Sequence, residues 1–237
     1  PLARKMEDCP KVLIVGEIYV RRDDFAVEEL IKLFSRHGII AKVSNVIEWF
    51  YYCDFVRHYE LKKRMKLAPW YRRIFTDEFK DLIGWHIEHI YKKKVEKDVR
   101  DILNTTNLVP RTPHDMNQIM ENTEKNFVNH ELHSEICISS GVAATAMMDG
   151  YSGIVNISPF ACLIGRVIEG LYTPWARERK YPTISVEIDG NLLPPNVLSN
   201  LEIFMLNVKR FRGKGDPHSM VERKDAPHAS VDRKIIR

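Results

Sequence analysis

Three kinds of side chain could carry chemistry in this sequence. They are four cysteines (Cys9, Cys53, Cys137 and Cys162), a histidine pair (His86 and His89), and the carboxylates that close apolar runs at Glu17 and Asp189. A thiolate can ligate a soft metal or act as a nucleophile, an imidazole pair can share a zinc ion, and a carboxylate at a strand end can orient a ligand. The cysteines lie far apart and form no C-x-x-C pair, which argues against a zinc ribbon and against a dense disulfide scaffold. His86 and His89 stand at i, i+3 in "WHIEHI", near enough to share a metal on a helix. With no third ligand at a recognisable spacing, they read as helix-surface histidines.

Cys162 stands out by its place. In "NISPFACLIGRVIEG", residues 156–170, a strand-like run breaks at Pro159, passes the cysteine and becomes an amphipathic helix-like run. Ligands of open parallel sheets collect outside the carboxyl ends of the strands, where loops and helix N-termini converge. A cysteine just before or within the first helical turn there meets free amide groups and the positive end of the helix dipole, which favour the thiolate. Position alone leaves the plainer reading in place, a cysteine that only packs. Glu17 and Asp189, closing the first and fourth strand-like runs, share the same rim, and Ser158 joins them as a residue that could touch a ligand. For all three, strand-end capping and loop hydrogen bonds are the competing role.

The elements that must position these residues follow from hydrophobic period. "KVLIVGEIYV" (11–20) reads as a buried strand, and "DDFAVEELIKLFSRHG" as a helix with Asp23 or Asp24 as N-cap, Phe25, Leu30, Leu33 and Phe34 on one face, and Gly38 as terminator. "IIAKVSN" is a second strand, so a βαβ unit and a parallel sheet are expected. From about 46 to 130 the pattern is helical, with one helix opening at Thr76 or Asp77 and an interruption near Asn129 or Gly141. "GIVNISP", a helix from Cys162, "PTISVEIDG" and a proline-opened helix then complete the pattern. The predicted fold is an α/β, flavodoxin-like (Rossmann-like) parallel sheet of about four strands over 11–212, with a helical insertion at about 46–130. A segment or linker over 1–10 precedes it and a flexible tail over 213–237 follows.

Bulk properties exclude several classes. The 36 basic and 32 acidic residues nearly balance at +4, and the basic clusters "ELKKRMK" and "YKKKVEKDVR" read as solvated helix faces, so no nucleic-acid partner is expected. No long apolar span and no signal core occur, which points to a cytoplasmic protein without a membrane partner. The chain opens on Pro1, so a fragment or processed product is expected. Neither a phosphate-binding G-x-x-x-x-G-K-[ST] or G-x-G-x-x-G loop nor a G-x-S-x-G elbow is present. Trp49, Phe50, Tyr51, Tyr52, Phe55 and Tyr59 read as a core or subunit face, and a dimer is left open.

Several ordered blocks carry a resemblance: "KVLIVGEIYVRRDDFAVEEL", then "HSEICISSGVAATAMMDGYSGIVNISPFACLIGRVIEGL", then "YPTISVEIDG". Together they resemble the 2-hydroxyacyl-CoA dehydratase and benzoyl-CoA reductase component family, closest to the C-terminal part of the large CoA-substrate-specific enzyme activases. The resemblance spans most of 11–211. It implies stacked flavodoxin-like domains that hold an iron–sulfur (4Fe-4S) cluster through three cysteines, the last of which maps onto Cys162. Family members often read Pro-Phe-Gly-Cys-Met-Pro-Gly at this loop, whereas this chain has Ala161 for the glycine and Leu163-Ile164 for Met-Pro. The resemblance further implies upstream cluster-binding domains, an ATPase activator module and an acyl-CoA substrate, with this chain by itself catalytically silent. A non-catalytic flavodoxin-like interaction or assembly domain, in which Cys162 is inert, is the reading from another class.

Overall fold

The computed structural model describes residues 9–67, 69, 76–103 and 115–211. The expected tail over 213–237 and nearly all of the segment 1–10 lie outside the described residues. Four parallel strands build the sheet: β1 (Lys11–Gly16), β2 (Ile40–Val43), β3 (Gly153–Pro159) and β4 (Thr183–Ile188), in the order β2-β1-β3-β4. The fold is thus α/β and flavodoxin-like with a helical insertion, as expected. β1 and β3 sit in the centre and are buried on both faces, which is why both read as continuous apolar runs. The outer strands β2 and β4 are only half-buried.

Side-chain alternation divides the core into two layers. Val12 and Ile14 of β1, with Val155 and Ile157 of β3, face α1 (Asp24–Arg36) and α7 (Pro195–Arg210), where Leu30, Phe34, Leu201 and Met205 complete the packing. Leu13, Val15 and Ile154 face the other side, toward α5 (Glu135–Met148) and α6 (Leu163–Glu178). α1 starts where predicted: Asp23 is the N-cap, its carboxylate accepting from the Phe25 amide at 3.3 Å. Phe25 itself, expected on the inner face, lies half-exposed, and the small Ala26 takes the buried place beside the sheet.

Between β2 and β3 the chain inserts α2 (Ile47–Leu67), α3 (Asp77–Leu103) and α4 (Met116–Asn126) before α5 crosses back to the sheet. The interruption foreseen near Asn129 or Gly141 falls at the first, in a short 3-10 turn at His130–Leu132. Gly141 stays inside α5, because a Cβ there would stand 2.3 Å from the Ile119 carbonyl of α4; the glycine permits a close helix crossing. α5 is buried all round from Glu135 to Ala146, pressed between the sheet and α4. Tyr52 of α2 reaches the same layer, donating to the Ser134 carbonyl at 3.1 Å.

β1 ends at Gly16, short of the stretch to Val20 read as strand. Gly16 has φ +117°, and a Cβ on it would lie 2.0 Å from the Ile157 carbonyl oxygen of β3. Only glycine fits this close approach and this backbone conformation. The chain then leaves the sheet and coils into a 3-10 turn at Val20–Arg22. Gly16→Ala is accordingly expected to destabilise the fold by about 3 kcal/mol or more, read as a lowered urea midpoint at unchanged m-value.

Candidate functional site

The C-terminal edge of the sheet gathers the loops that leave β1, β3 and β4, and Cys162, Ser158, Glu17 and Asp189 all sit there. Cys162 is the N-cap of α6, with extended backbone angles (φ −71°, ψ 120°) and a half-buried side chain that makes no capping hydrogen bond. Its amide donates to the Pro159 carbonyl at 3.2 Å, and its carbonyl accepts from the Arg166 amide at 3.1 Å. The residue before it, Ala161, is left-handed at φ +55°. The turn thus has a glycine-like conformation although the side chain is alanine.

β4 holds this loop in shape. The Phe160 amide donates to the Ile188 carbonyl at 3.0 Å, and the Ala161 amide donates to Glu187 Oε1 at 3.2 Å. The other oxygen of Glu187 pairs with Arg166 of α6 at 2.7 Å, so one carboxylate ties the loop to the helix it starts. Phe160 and Leu163, on either side of Cys162, are 71% and 77% exposed, and Tyr19 and Leu192 on the neighbouring loops are similarly open. Exposed apolar side chains thus flank the cysteine in its own loop and stand on the neighbouring loops of the same edge, an apolar rim.

The other three nominated residues share this edge, yet each is already engaged. Ser158 is buried beneath the first turn of α6, where the absence of a side chain at Gly165 leaves room for its hydroxyl. Glu17 turns back to accept from the Val20 amide at 2.9 Å, while its own amide donates to the Ile157 carbonyl at 2.9 Å. Asp189 accepts from the Asn191 amide at 3.0 Å in the loop before α7, a bond that holds its carboxyl below the usual range. The fold therefore gathers Cys162, Ser158, Glu17 and Asp189 on one edge, buries Ser158 beneath α6 and uses Glu17 and Asp189 in local hydrogen bonding.

The remaining thiols and imidazoles are placed otherwise. Cys137 lies in the first turn of α5 and is fully buried; burial pushes its thiol up. His89 stacks on Trp85 (4.7 Å between ring centroids), whose ring also stacks on His58 at 4.0 Å; His86 meets Trp85 edge-on and bonds the Leu82 carbonyl at 2.8 Å. Burial in this stack pushes His58 down to about 4. Among the described residues no group of three His, Cys, Asp or Glu side chains could hold a metal ion.

Sequence reasoning missed a buried polar cluster below the same edge. Arg21 and Glu135, each about 5% exposed, pair at 3.6 Å, and Arg21 also donates to the Ser44 carbonyl at 3.4 Å. Ser44 donates in turn to the carboxylate of Glu48. Arg21 Nε and Glu135 Oε1 have no hydrogen-bond partner among the described residues, so the pair is incompletely compensated. Desolvation pushes Glu135 up to about 7, with Arg21 opposing. "VRRDD" and "HSEIC" look like surface sequence, and no periodic signal marks the two charges as partners.

The fold and the site define an α/β domain of flavodoxin-like class whose β3–α6 loop presents one half-buried thiol on an apolar rim. No family, curated protein or solved structure matches the chain. Among the described residues no helix is long and apolar enough to cross a membrane.

Two outcomes are expected. Ala161→Gly relieves the left-handed conformation and stabilises the fold by roughly 0.5–1 kcal/mol in urea unfolding, less any gain in unfolded-chain entropy. Glu135 is protonated up to about pH 7 when folded but ionises near 4.5 when unfolded, so the unfolded state loses its proton first as pH rises. Its stabilising contribution is full below pH 4.5 and gone above about 7. Relative to Glu135→Gln, the wild type therefore loses roughly 3 kcal/mol across that window, measurable as the pH dependence of the difference between the two unfolding free energies.

Proposed function

We propose that this domain contributes Cys162 as one thiolate ligand to an iron–sulfur cluster in a 2-hydroxyacyl-CoA dehydratase-like, CoA-substrate-specific activase system. The observation that carries this reading is the β3–α6 loop. A left-handed Ala161, fixed by Glu187, presents Cys162 at the N-terminus of α6 on the ligand-binding edge, its side chain making no capping hydrogen bond. Soft thiolate ligation suits such a cluster, and an apolar collar of Phe160 and Leu163 suits the exclusion of water around it.

The donor set tests the fit. One thiol supplies a single ligand, and no further described side chain completes a metal site, so the described residues alone do not close a cluster. The proposal therefore places the companion cysteines in other domains that meet this edge, together with an ATPase activator that supplies low-potential electrons. When bound, the cluster would supply one-electron chemistry toward an acyl-CoA; this chain's own part is to present the thiol, shape the collar and limit solvent. Glu17, Ser158 and Asp189 shape the surrounding loops in this reading, and a cytoplasmic setting goes with it.

A second reading is favoured by the same missing ligands: a non-catalytic interaction or assembly domain, in which Tyr19, Phe160, Leu163 and Leu192 form a docking rim and Cys162 is inert. Anaerobic reconstitution with iron and sulfide, on the longest protein that contains this chain, separates the two. The ligand role predicts that Cys162→Ala loses most of the bound iron, the acid-labile sulfide and the visible charge-transfer absorption. Iron content and spectrum equal to wild type would overturn it and leave the docking rim.

A further inference from the structure

β4 closes the sheet with its outer edge free. Its even-numbered residues bond to β3, from the Ile154 amide donating to the Pro182 carbonyl to the Phe160 amide donating to the Ile188 carbonyl, each at 3.0 Å. The N–H and C=O groups of Thr183, Ser185 and Glu187 therefore point away from the sheet, and among the described residues they have no backbone partner. The usual protection of an edge is missing. Thr183–Ile188 contains neither lysine nor proline, and its one charge, Glu187, is turned to the Ala161 amide and to Arg166. Three outward N–H and C=O pairs at this spacing match one kind of occupant, another extended strand.

The chain after α7 does not supply that strand by the usual route. α7 lies on the same side of the sheet as α1, and from that side a right-handed crossover leads from β4 toward β3, whose place is filled. A parallel strand beside β4 would need the rare left-handed connection. The edge is instead complementary to itself. Its three outward residues are centred on Ser185, so a two-fold axis perpendicular to the sheet sets Ser185 against its own copy and Thr183 against Glu187 of the second copy, each pair exchanging both hydrogen bonds. On the α7 side the same register sets the β-branched Ile184 against Val186.

The flanking helices share this centre. A groove of about 380 Å³ runs along the edge, with Glu169 and Thr173 of α6 on one wall and Asn200, Ile203 and Asn207 of α7 on the other. Ile203 stands midway along α7, and Glu169 and Thr173 bracket the middle of α6, as Ser185 stands near the middle of β4. The axis that reverses the strand reverses both helices. It sets Ile203, 58% exposed, beside its own copy, the Asn200 amide beside that of Asn207, and the Glu169 carboxylate beside the Thr173 hydroxyl.

We infer that the β4 edge is the interface of a homodimer, two copies pairing antiparallel about Ser185 into one continuous sheet. The two Cys162 loops then lie at opposite ends of that sheet, so the dimer forms with or without a cluster. Light scattering coupled to size exclusion, on the 237-residue chain over about 1–100 μM, tests it. The wild type is expected at twice the monomer mass of 27.7 kDa. Ser185→Pro removes the central outward N–H and leaves the backbone bonds to β3, while Ile203→Lys brings two like charges together at the axis. Each is expected at 27.7 kDa with an unchanged far-ultraviolet spectrum, and the exposed Ile203 decides the matter if the proline variant does not fold. A wild type that is monomeric throughout, whether the edge stays open or is covered by its own chain or by another protein, overturns the inference, as does a dimer that survives Ile203→Lys. Register is read separately in a background where Cys9, Cys53 and Cys162 are replaced by serine: Ser185→Cys should cross-link between copies and Thr183→Cys should not. No cross-link at 185, or one as efficient at 183, overturns the pairing about Ser185.

Discussion

The approach of β1 to β3 at Gly16 is the contact on which the C-terminal edge of the sheet depends. Glycine lets the backbone come close enough for the Glu17 amide to donate to Ile157, and that bond turns the chain off the sheet. The turn sends Arg21 inward, under the edge, where Glu135 and the Ser44 carbonyl receive it. α5 is bound to the same point: Ser139 donates to the Gly16 carbonyl at 3.5 Å, and Tyr172 of α6 donates to the carbonyl of Ser139. One close contact thus sets the end of the central strand, the entry of the crossover helix and the floor beneath the rim loops.

Much of this architecture was legible because a buried parallel strand has a strong signature. β1 and β3 are continuous runs of branched apolar residues, and the caps of α1 and α6 fall where Asp23 and Cys162 stand. Where the reading went astray, tertiary packing overrode a local preference. "EIYV" has the composition of a strand, yet the backbone of Gly16 ends the pairing first. Gly141 has the character of a breaker, yet the nearness of α4 requires it within a helix. Arg21 and Glu135 sit among polar neighbours in sequence, and only the three-dimensional path brings each charge to the other.

The helical insertion shows why hydrophobic period alone could not orient it. Reading a helix by its apolar face assumes that this face turns toward the rest of the fold. In the α2–α3 hairpin the inner seam is made of charge pairs and a histidine–tryptophan stack, which periodicity counts as solvent-facing. Trp49, Tyr52 and Phe55, nominated as a packing face, do meet the core, while Phe50 points away. The basic residues of "YKKKVEKDVR" are divided likewise, Lys92 and Arg100 pairing within the hairpin while Lys93, Lys94 and Lys97 remain exposed. An ionic seam has directional partners, so it fixes the register of two helices even where it adds little stability.

The left-handed Ala161 bears on the thiol more closely than the position of Cys162 does. Three described residues other than glycine have positive φ: His133, Ala161 and Lys180. His133 and Lys180 follow the ends of a 3-10 turn and of α6, where a left-handed residue commonly closes the last turn. Ala161 instead precedes a helix, so helix termination does not account for it. What holds it there is specific: the Glu187 carboxylate receives its amide, and the neighbouring Phe160 amide is joined to β4. A fold that maintains about 1 kcal/mol of backbone strain with a dedicated carboxylate is specifying where the next residue points. The next residue is Cys162, and the strained loop directs it to the sheet edge and not into the apolar layers that bury Cys137.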